Sequence, residues 1–320
     1  MARIIAVGAA VQDVFLSQSD VLAPVCVDPE HCFAQLELGA KADVNQINFS
    51  TGGGATNGAV TFARQGHEAV FMGVIGKDPA GQAVLDDLDV EGVDTRHVRY
   101  SDTYNTGYSV LLLAPNGERT ILTYRGASTH YHPKDFDLED ERADWLYVST
   151  LAGNMQALDG LFRNARQRGV KIFFNPGKRE LEQRDKLIGL LGDVDVLSVN
   201  REEMMQLVEG EDLESLVRHG LNIAPTVIVT DGVNGSIASD GKTVVRAGMY
   251  EDVPSIDRTG AGDAFGSGFL SKWAEGEGLA QAVHFASANS SSVVMQIGAK
   301  AGILRHGAAL HAMPLDERSL

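Results

Sequence analysis

The alternation of short apolar runs with helical segments constrains the fold of this chain more than any other feature of its sequence. The apolar runs are rich in β-branched and aromatic residues, and they lie at residues 4–7, 69–72, 145–148, 171–174, 195–199 and 226–229. Helical patterns fit between them, around residues 55–65, 79–91, 154–168 and 201–219. Near-continuous apolar strands separated by helices are typical of a parallel sheet that is covered on both faces. The sequence therefore predicts an α/β fold.

Two regions depart from this rhythm and alternate between apolar and polar residues, as antiparallel strands with one wet face do. They run from about residue 33 to 49 and from 107 to 124, and the second contains Asn116-Gly117, a dipeptide that favours a tight hairpin turn. We expect both to form a small sheet beside the α/β body, as insertions in one domain. Such a sheet serves as a lid over a substrate, as a dimerisation surface, or as both. Another hairpin is predicted at Asp240-Gly241.

Composition and charge exclude several classes of partner. The 320 residues are 44% hydrophobic, which is enough for a large core. The chain carries 27 basic and 43 acidic residues, a net charge of −16, which argues against nucleic-acid and anionic-membrane partners. No apolar run approaches the length of a membrane span, and residues 1–8 are too short for a signal peptide and are expected to form the first strand. We expect a cytoplasmic protein.

The cysteines and the paired histidines give no metal-site pattern. Cys26 and Cys32 are the only two cysteines, and in a reducing compartment we expect both to be free thiols rather than a disulfide. His130 and His132 lack further Cys or His ligands nearby, so a polar loop is predicted there.

The segment at residues 257–263 has the composition of a phosphate-handling turn. It reads Asp-Arg-Thr-Gly-Ala-Gly-Asp and continues directly into an apolar helical pattern. Gly260 and Gly262 allow close backbone approach to a ligand, and the first amides of the following helix lack intrahelical partners, so they can bind an anion. Asp263 would repel a phosphate, and its expected task is to accept a proton from an attacking hydroxyl. The alternative is a glycine-rich turn with an acidic cap.

Upstream, a second glycine-rich segment and an early aspartate are candidate contacts for a polyol. Gly52, Gly53 and Gly54 precede a helix, and Asn57 offers amide donors and an acceptor to hydroxyl groups. Asp13 follows the first strand, at the edge where an open α/β sheet presents its ligand contacts. The structural alternatives are a turn or capping role for Asp13 and a helix-interior amide for Asn57.

Asn200 and Glu203 follow a predicted strand and open a helix, so both side chains can point toward phosphates. A carboxylate among phosphates is repulsive unless it holds Mg²⁺, directly or through water. A capping arrangement of Asn200 with the first helical turn is the structural alternative, and it is compatible with the first. Lys178 and Arg179 are basic candidates for steering phosphate, or the solvated start of a helix.

The ordered set of motifs resembles the PfkB/ribokinase family of carbohydrate and nucleoside kinases. Residues 257–263 resemble its C-terminal signature and residues 52–66 its N-terminal signature. Further matches follow the family order at residues 73–81, 200–203, 230–235 and 288–289, so that the resemblance spans residues 8 to about 302. It implies a ribokinase-like three-layer α/β/α sandwich with a mainly parallel central sheet and a small antiparallel β lid. A single domain would span residues 1–320, with lid strands inserted at about 14–50 and 100–128.

The resemblance also implies a role for each matching residue. Asp263 would be the general base, beside an anion hole of Gly260, Ala261 and Gly262. Substrate contacts would come from Asp13, Gly52, Gly53, Gly54 and Asn57, with Arg125 as a further candidate. The nucleotide site would contain Asn200, Thr230, Gly232, Gly235 and Asn289. Glu203 would hold Mg²⁺, directly or through water, and Asp257 is a candidate ligand of a monovalent cation such as K⁺.

The implied function is transfer of the γ-phosphoryl group of ATP to a primary hydroxyl of a small unphosphorylated sugar, by a homodimer formed through the lid. A nucleoside kinase is the alternative, with Phe33, Phe49, Tyr104 and Tyr124 as candidate walls for a base. A non-catalytic sensor of sugar or nucleotide is the second alternative. Two positions depart from the family pattern: Arg258 replaces a small hydroxyl residue, and Asn175 replaces an aspartate found in many sugar kinases.

Overall fold

The structure, a computed structural model, describes residues 1–28, 31–115, 119–138, 141–250 and 255–320. The strands are β1 (Arg3–Val7), β2 (Val11–Ser17), β3 (Val25–Asp28), β4 (His31–Phe33), β5 (Gln46–Gly52), β6 (Glu68–Gly76), β7 (Asp94–Ser101), β8 (Gly107–Leu113), β9 (Arg119–Tyr124), β10 (Trp145–Val148), β11 (Lys171–Phe174), β12 (Val196–Asn200), β13 (Thr226–Thr230), β14 (Ser236–Ser239), β15 (Thr243–Ala247) and β16 (Leu315–Ser319). The α-helices are α1 (Gly54–Arg64), α2 (Pro79–Val90), α3 (Met155–Gln167), α4 (Lys178–Leu181), α5 (Arg184–Leu191), α6 (Arg201–Leu207), α7 (Leu213–Gly220), α8 (Ala261–Ala274) and α9 (Leu279–Val294).

A ten-stranded sheet forms the centre of the molecule, in the order β16-β15-β14-β13-β12-β11-β10-β1-β6-β7. The strands from β13 to β7 pair in parallel, and β14, β15 and β16 pair antiparallel at one edge. All six predicted apolar runs lie in this sheet. The predicted turn at Asp240-Gly241 joins β14 to β15, with Gly241 at φ +81°. Strand order reverses at β1, which lies between β10 and β6, and such a switch point is where open α/β sheets bind ligands.

The two faces of the sheet are covered by different helices. Alternate side chains of β1 enter different clusters: Ile5 and Val7 pack with α3, α5, α6 and α7, while Ile4 and Ala6 pack with α1, α2, α8 and α9. This alternation is the consequence of the two-residue period of a strand. The predicted three-layer arrangement is confirmed.

A separate four-stranded sheet, the lid, has the order β5-β2-β8-β9. β5 pairs antiparallel with β2, and β8 with β9, while β2 and β8 pair in parallel. Directly opposed residues share a face, so the row Ser50, Asp13, Ser109 and Thr123 defines an inner face, on which Asp13 and Ser109 are buried. Between residues 33 and 45, part of the first predicted β region, the structure has no strand, and Asn116-Gly117 lie outside the described residues.

The prediction of free thiols is wrong in this structure. Cys26 and Cys32 are partners across the two-stranded ribbon of β3 and β4 and form a disulfide. Their separation of six residues allows this because a hairpin brings residues on its two strands face to face. Composition and compartment arguments miss the pair, since they do not reveal the hairpin.

The described helices include none that is long and apolar enough to cross a membrane.

Candidate active site

Asp263 lies in the first turn of α8, beneath the glycine-rich start of α1. The residue before α8, Gly260, adopts a left-handed conformation with φ +79°, and a Cβ there would lie 2.4 Å from the Cβ of Ala299. Both the backbone conformation and the close packing therefore require glycine at this position. The amide of Ala261 donates to the carbonyl of Arg258 at 3.3 Å, which leaves the next amides of the first turn, those of Gly262 and Asp263, as the candidate donors to an anion.

Asn57, on α1, holds the carboxylate of Asp263. Its Nδ2 donates to Asp263 Oδ2 at 2.8 Å, across 206 residues of chain. Burial raises the pKa of Asp263 above its usual value, and the hydrogen bond from Asn57 acts in the opposite direction. A carboxylate with a raised pKa is a better proton acceptor once ionised, which suits a general base. The sequence motifs indicate only a substrate contact for Asn57, whereas its hydrogen bond to Asp263 is seen in the structure.

The glycines at residues 52–54 create the space in which two carboxylates lie. A Cβ on Gly52 would lie 2.5 Å from Asp13 Oδ2, and one on Gly54 would lie 3.0 Å from Asp263 Oδ1. Gly53 has φ +100°, and a Cβ there would lie 2.3 Å from the carbonyl oxygen of Ala9. The structure thus brings Asp13, Asp263 and the glycine segment to one place.

Several buried polar atoms at this place have no hydrogen-bond partner among the described residues. They are Asn57 Oδ1, Ser149 Oγ and Tyr147 OH. Ser149 Oγ would lie 3.2 Å from a Cβ on Gly54, close to Asp263, and the charge of Asp263 raises the pKa of Tyr147 in addition to burial. Because buried polar groups are seldom left unsatisfied, these atoms are candidate donors and acceptors for a polar ligand. The sequence motifs do not point to Tyr147, which lies in β10, or to Ser149, which directly follows that strand.

Asp13 is a second buried acid, at the inner face of the lid. Burial raises its pKa, while a hydrogen bond from Ser109 and the charge of Lys300 oppose the rise. The side chain is 4% exposed, so an ionised Asp13 depends on these partners.

The segment at residues 298–300 contacts Asp257 and Gly260, and no sequence motif pointed to it. The amide of Gly298 donates to Asp257 Oδ2 at 3.0 Å, and Ala299 packs on Gly260. Lys300 is buried, and its Nζ donates to Thr51 Oγ1 at 2.6 Å and to Asp87 Oδ2 at 2.8 Å. Desolvation lowers the pKa of Lys300, and Asp87 opposes that effect. The one sequence feature that could have indicated this segment is a lysine among small and apolar residues.

The predicted nucleotide residues lie at the carboxyl ends of β12 and β13. Asn200 and Thr230 are partners in the parallel register of these strands. Asn200 Oδ1 accepts from the amide of Glu203, and Glu203 Oε2 accepts from the amide of Asn200, both at 2.9 Å, so the predicted cap is confirmed as a reciprocal capping box. Burial raises the pKa of Glu203, and the Asn200 amide opposes the rise. Gly232 and Gly235 have φ values of +54° and +88°.

Other predicted residues lie apart from these clusters or are engaged in structural contacts. Asn289 is fully buried; its Nδ2 donates to the carbonyl of Ala264 and its Oδ1 accepts from the amide of Leu304, so we leave it out of the nucleotide site. Arg125, Lys178, Arg179 and Arg258 are exposed. Their side chains are not held among the buried groups of the site.

Asp257 is fixed in the turn that precedes α8. Its Oδ1 accepts from the amide of Thr259 at 3.0 Å and from the Thr259 hydroxyl at 2.6 Å. Its Oδ2 accepts from Gly298, and Arg119 Nη1 lies 3.8 Å from Oδ1. The carboxylate is therefore surrounded by donors from three parts of the chain.

A buried carboxylate, a glycine-rich helix start and unsatisfied buried polar atoms at the switch point of a mainly parallel sheet form the arrangement expected of a phosphotransferase. The acceptor of such an enzyme is an alcohol group, whose proton the base removes.

The chain belongs to the pfkB family of carbohydrate kinases, whose model matches residues 21–305. It is 29% identical over 263 residues to a ribokinase of Haemophilus influenzae, which covers 79% of this chain and 83% of that protein. It is also 29% identical over 272 residues to an ATP-dependent ribose-1-phosphate kinase of Halopiger xanaduensis, covering 82% and 87% of the two chains. Membership makes the chain a sugar or nucleoside kinase of an ATP-dependent family.

A solved structure confirms the fold. A putative ribokinase II from E. coli, in complex with ATP and Mg²⁺, superposes with a TM-score of 0.78 at 20% identity, over 95% of this chain and 96% of that one. The predicted ribokinase-like architecture is thus confirmed.

Proposed function

We propose that this protein transfers the γ-phosphoryl group of ATP to a primary hydroxyl of a small unphosphorylated sugar. The observation that carries the proposal is the hydrogen-bonded pair of Asn57 on α1 and Asp263 on α8, which lies beside buried polar atoms that have no partner in the described part of the chain. A sugar offers several hydroxyl groups, each both donor and acceptor, and such groups match Asn57 Oδ1, Ser149 Oγ and the carboxylate of Asp13.

In the proposed reaction, Asp13 and the segment at residues 52–54 hold the acceptor under the inner face of the lid. Asp263 accepts the proton of the reacting hydroxyl as its oxygen attacks the γ-phosphorus of ATP, and ADP leaves. The amides of Gly262 and Asp263 stabilise the negative charge on the transferring group. Asn57 keeps the carboxylate of Asp263 oriented, and the lid excludes water from the reacting groups.

The proposed nucleotide end can hold Mg²⁺ with only a few protein ligands. The described residues contain no group of three or more His, Cys, Asp or Glu side chains suited to a metal ion. Glu203 and Asn200 offer oxygen atoms at the end of β12, and Mg²⁺ commonly keeps several waters and binds one or two carboxylates together with substrate phosphates. Glu203 would hold the ion, directly or through water, and the bound ion would neutralise charge on the phosphates.

The charges of the site favour an unphosphorylated acceptor. A phosphate on the acceptor would lie near Asp13, Asp257 and Asp263, and the nearby cations are already engaged: Lys300 with Asp87, and Arg119 with Asp257. Arg125, the further candidate for a substrate contact, is exposed. A neutral sugar therefore fits better than a sugar phosphate.

The lid offers less for a nucleobase than the sequence suggested. Phe49 is opposed to Val14 and Tyr124 to Tyr108, so both lie on the outer face, away from the Asp13 row. Tyr104 stacks on His130 at 3.5 Å between ring centroids. Phe49 and Tyr124 thus face away from the proposed acceptor and Tyr104 is engaged with His130, which favours a sugar over a nucleoside.

The outer face of the lid supports the homodimer. Ile47, Phe49, Leu122 and Tyr124 lie on this face and are 50 to 64% exposed. Apolar surface of this kind marks an interaction site, and a second copy of the lid presents the same apolar chemistry. Light scattering coupled to size exclusion should give a dimer mass for the native chain and a monomer mass for Phe49→Asp, with Thr120→Ala as the control on the same sheet.

The proposed acceptor is tested by measuring ATP consumption against pentoses, hexoses, sugar phosphates and nucleosides. We expect the highest kcat/KM with an unphosphorylated sugar. A nucleoside or sugar phosphate as the best acceptor would overturn the proposed substrate, and ligand binding without turnover across the panel would support a sensor instead.

A further inference from the structure

Arg119 is a lid residue that faces the active site. It is the first residue of β9 and is paired with Leu113. Because side chains alternate along a strand, Arg119, Ile121 and Thr123 share one face, and the register places Thr123 in the same row as Asp13. Arg119 therefore projects from the inner face of the lid, 27% exposed.

The guanidinium of Arg119 reaches the turn at residues 257–260, which precedes α8 in the body of the protein. Its Nη1 lies 3.8 Å from Oδ1 of Asp257, whose side chain is only 1% exposed. Asp257 also receives three hydrogen bonds, from the amide and hydroxyl of Thr259 and the amide of Gly298. Within the described residues, Arg119 is the cationic side chain in ion-pair contact with this buried carboxylate.

Asp257 contacts both of the segments that position the start of α8. Through Thr259 it fixes the turn that leads to Gly260, and through Gly298 it holds the segment on which Gly260 packs. Those contacts set where α8 begins, and hence where the amides of Gly262 and Asp263 lie. A positive charge that stabilises the carboxylate of Asp257 therefore also stabilises the anion-binding turn.

We propose that Arg119 is a positioning residue that couples lid closure to the organisation of the anion-binding turn through its ion pair with Asp257. This inference rests on the proposed kinase function. With the lid closed, the chain itself supplies the positive charge next to Asp257. A monovalent cation does not fit beside Oδ1, because two hydrogen-bond donors and a guanidinium already surround that oxygen.

The kinetic test compares Arg119→Ala with Thr120→Ala, a change on the same strand but on the opposite face. We expect kcat/KM of Arg119→Ala to fall by about tenfold or more, as for loss of a charge-assisted contact, and Thr120→Ala to match the native enzyme.

Native activity should be the same in KCl and in tetramethylammonium chloride at equal ionic strength, whereas Arg119→Ala should gain activity in KCl. Arg119→Lys should recover part of the loss, since it restores the charge without the planar fork.

A second test does not depend on turnover and separates failure of this inference from failure of the proposed function. Thermal unfolding of the native chain, Arg119→Ala, Asp257→Asn and the double variant gives a coupling energy between the two residues. We expect the two changes to be non-additive and hydrogen exchange of β9 to speed up in Arg119→Ala. Additive effects with unchanged exchange would overturn the coupling, as would a native enzyme that requires K⁺. A native enzyme that lacks kinase activity but keeps the coupling would overturn the proposed function alone.

Discussion

The proposed acceptor end and the proposed nucleotide end of the site are built in different ways. At the acceptor end, Asp263 and Asn57 meet across 206 residues of chain, and Asp13 is buried at the face of a separate sheet. At the nucleotide end, Asn200 and Glu203 cap the helix that they begin, three residues apart. Acid groups at both ends have raised pKa values, but only those at the acceptor end depend on partners from distant segments. Long-range packing therefore sets the chemistry at the acceptor end, whereas local structure sets the geometry at the nucleotide end.

The largest effect is expected at the base. Asp263→Ala removes the proton acceptor, and general-base catalysis contributes roughly 10²- to 10⁴-fold, so we expect kcat to fall by about a thousandfold. Nucleotide affinity should change little, because the proposed nucleotide contacts Asn200 and Thr230 lie at the ends of β12 and β13 and not in the first turn of α8. Steady-state kinetics and calorimetric titration of the nucleotide measure the two quantities. A variant that keeps most of its turnover would refute the assignment of the base.

The next effect concerns stability beneath the acceptor end. Asp87→Ala leaves the buried ammonium of Lys300 without its carboxylate and should lower the free energy of unfolding by about 2 kcal/mol. This value is below that of a fully buried pair because the Asp87 side chain is 38% exposed. Lys300→Met removes the buried charge itself and should cost less. Urea unfolding of both variants checks the order, and a larger loss for Lys300→Met would contradict this account of the pair.

A change in pH dependence should follow from Asn57→Leu. The Asn57 hydrogen bond lowers the pKa of Asp263 against the rise caused by burial, so its removal should raise that pKa further. Because the base acts when ionised, the acidic limb of the kcat profile should move to higher pH, with recovery at alkaline pH. A limb that stays in place or moves to lower pH would show that Asn57 does not tune the base.

The smallest effect is expected at the nucleotide end. Asn200→Ala removes one local cap and should lower the free energy of unfolding by about 1 kcal/mol. The pH profile of kcat should be unchanged, since no group of the acceptor end contacts this cap in the described residues. Thermal unfolding and the pH profile of the same variant measure both. A shifted profile would break the distinction between the two ends.

Local patterns in the sequence predicted the parts of the molecule that depend on neighbouring residues. The six apolar runs became strands of the central sheet, and Gly260 and the Asn200 cap lie where the motifs placed them. A strand period or a capping box is written within a few residues, so such features can be predicted without knowing the fold.

Features that depend on register and on distant packing were not predictable in the same way. Strand register decides which face of the lid Phe49 and Tyr124 occupy. Packing between segments that are distant in sequence brings residues 298–300 to the site and Arg119 to Asp257. A shift of one residue in register would have moved Phe49 to the inner face, and nothing local to the residue decides that register.

The central claim is that the acceptor end and the nucleotide end act together in one phosphoryl transfer. The most direct measurement follows label from [γ-³²P]ATP with the best acceptor of the panel, for the native chain and Asp263→Ala. We predict that label appears in the acceptor in equal amount to the ADP formed, and that both products fall together in the variant. Label recovered as inorganic phosphate, or transfer that survives the loss of Asp263, would contradict this account.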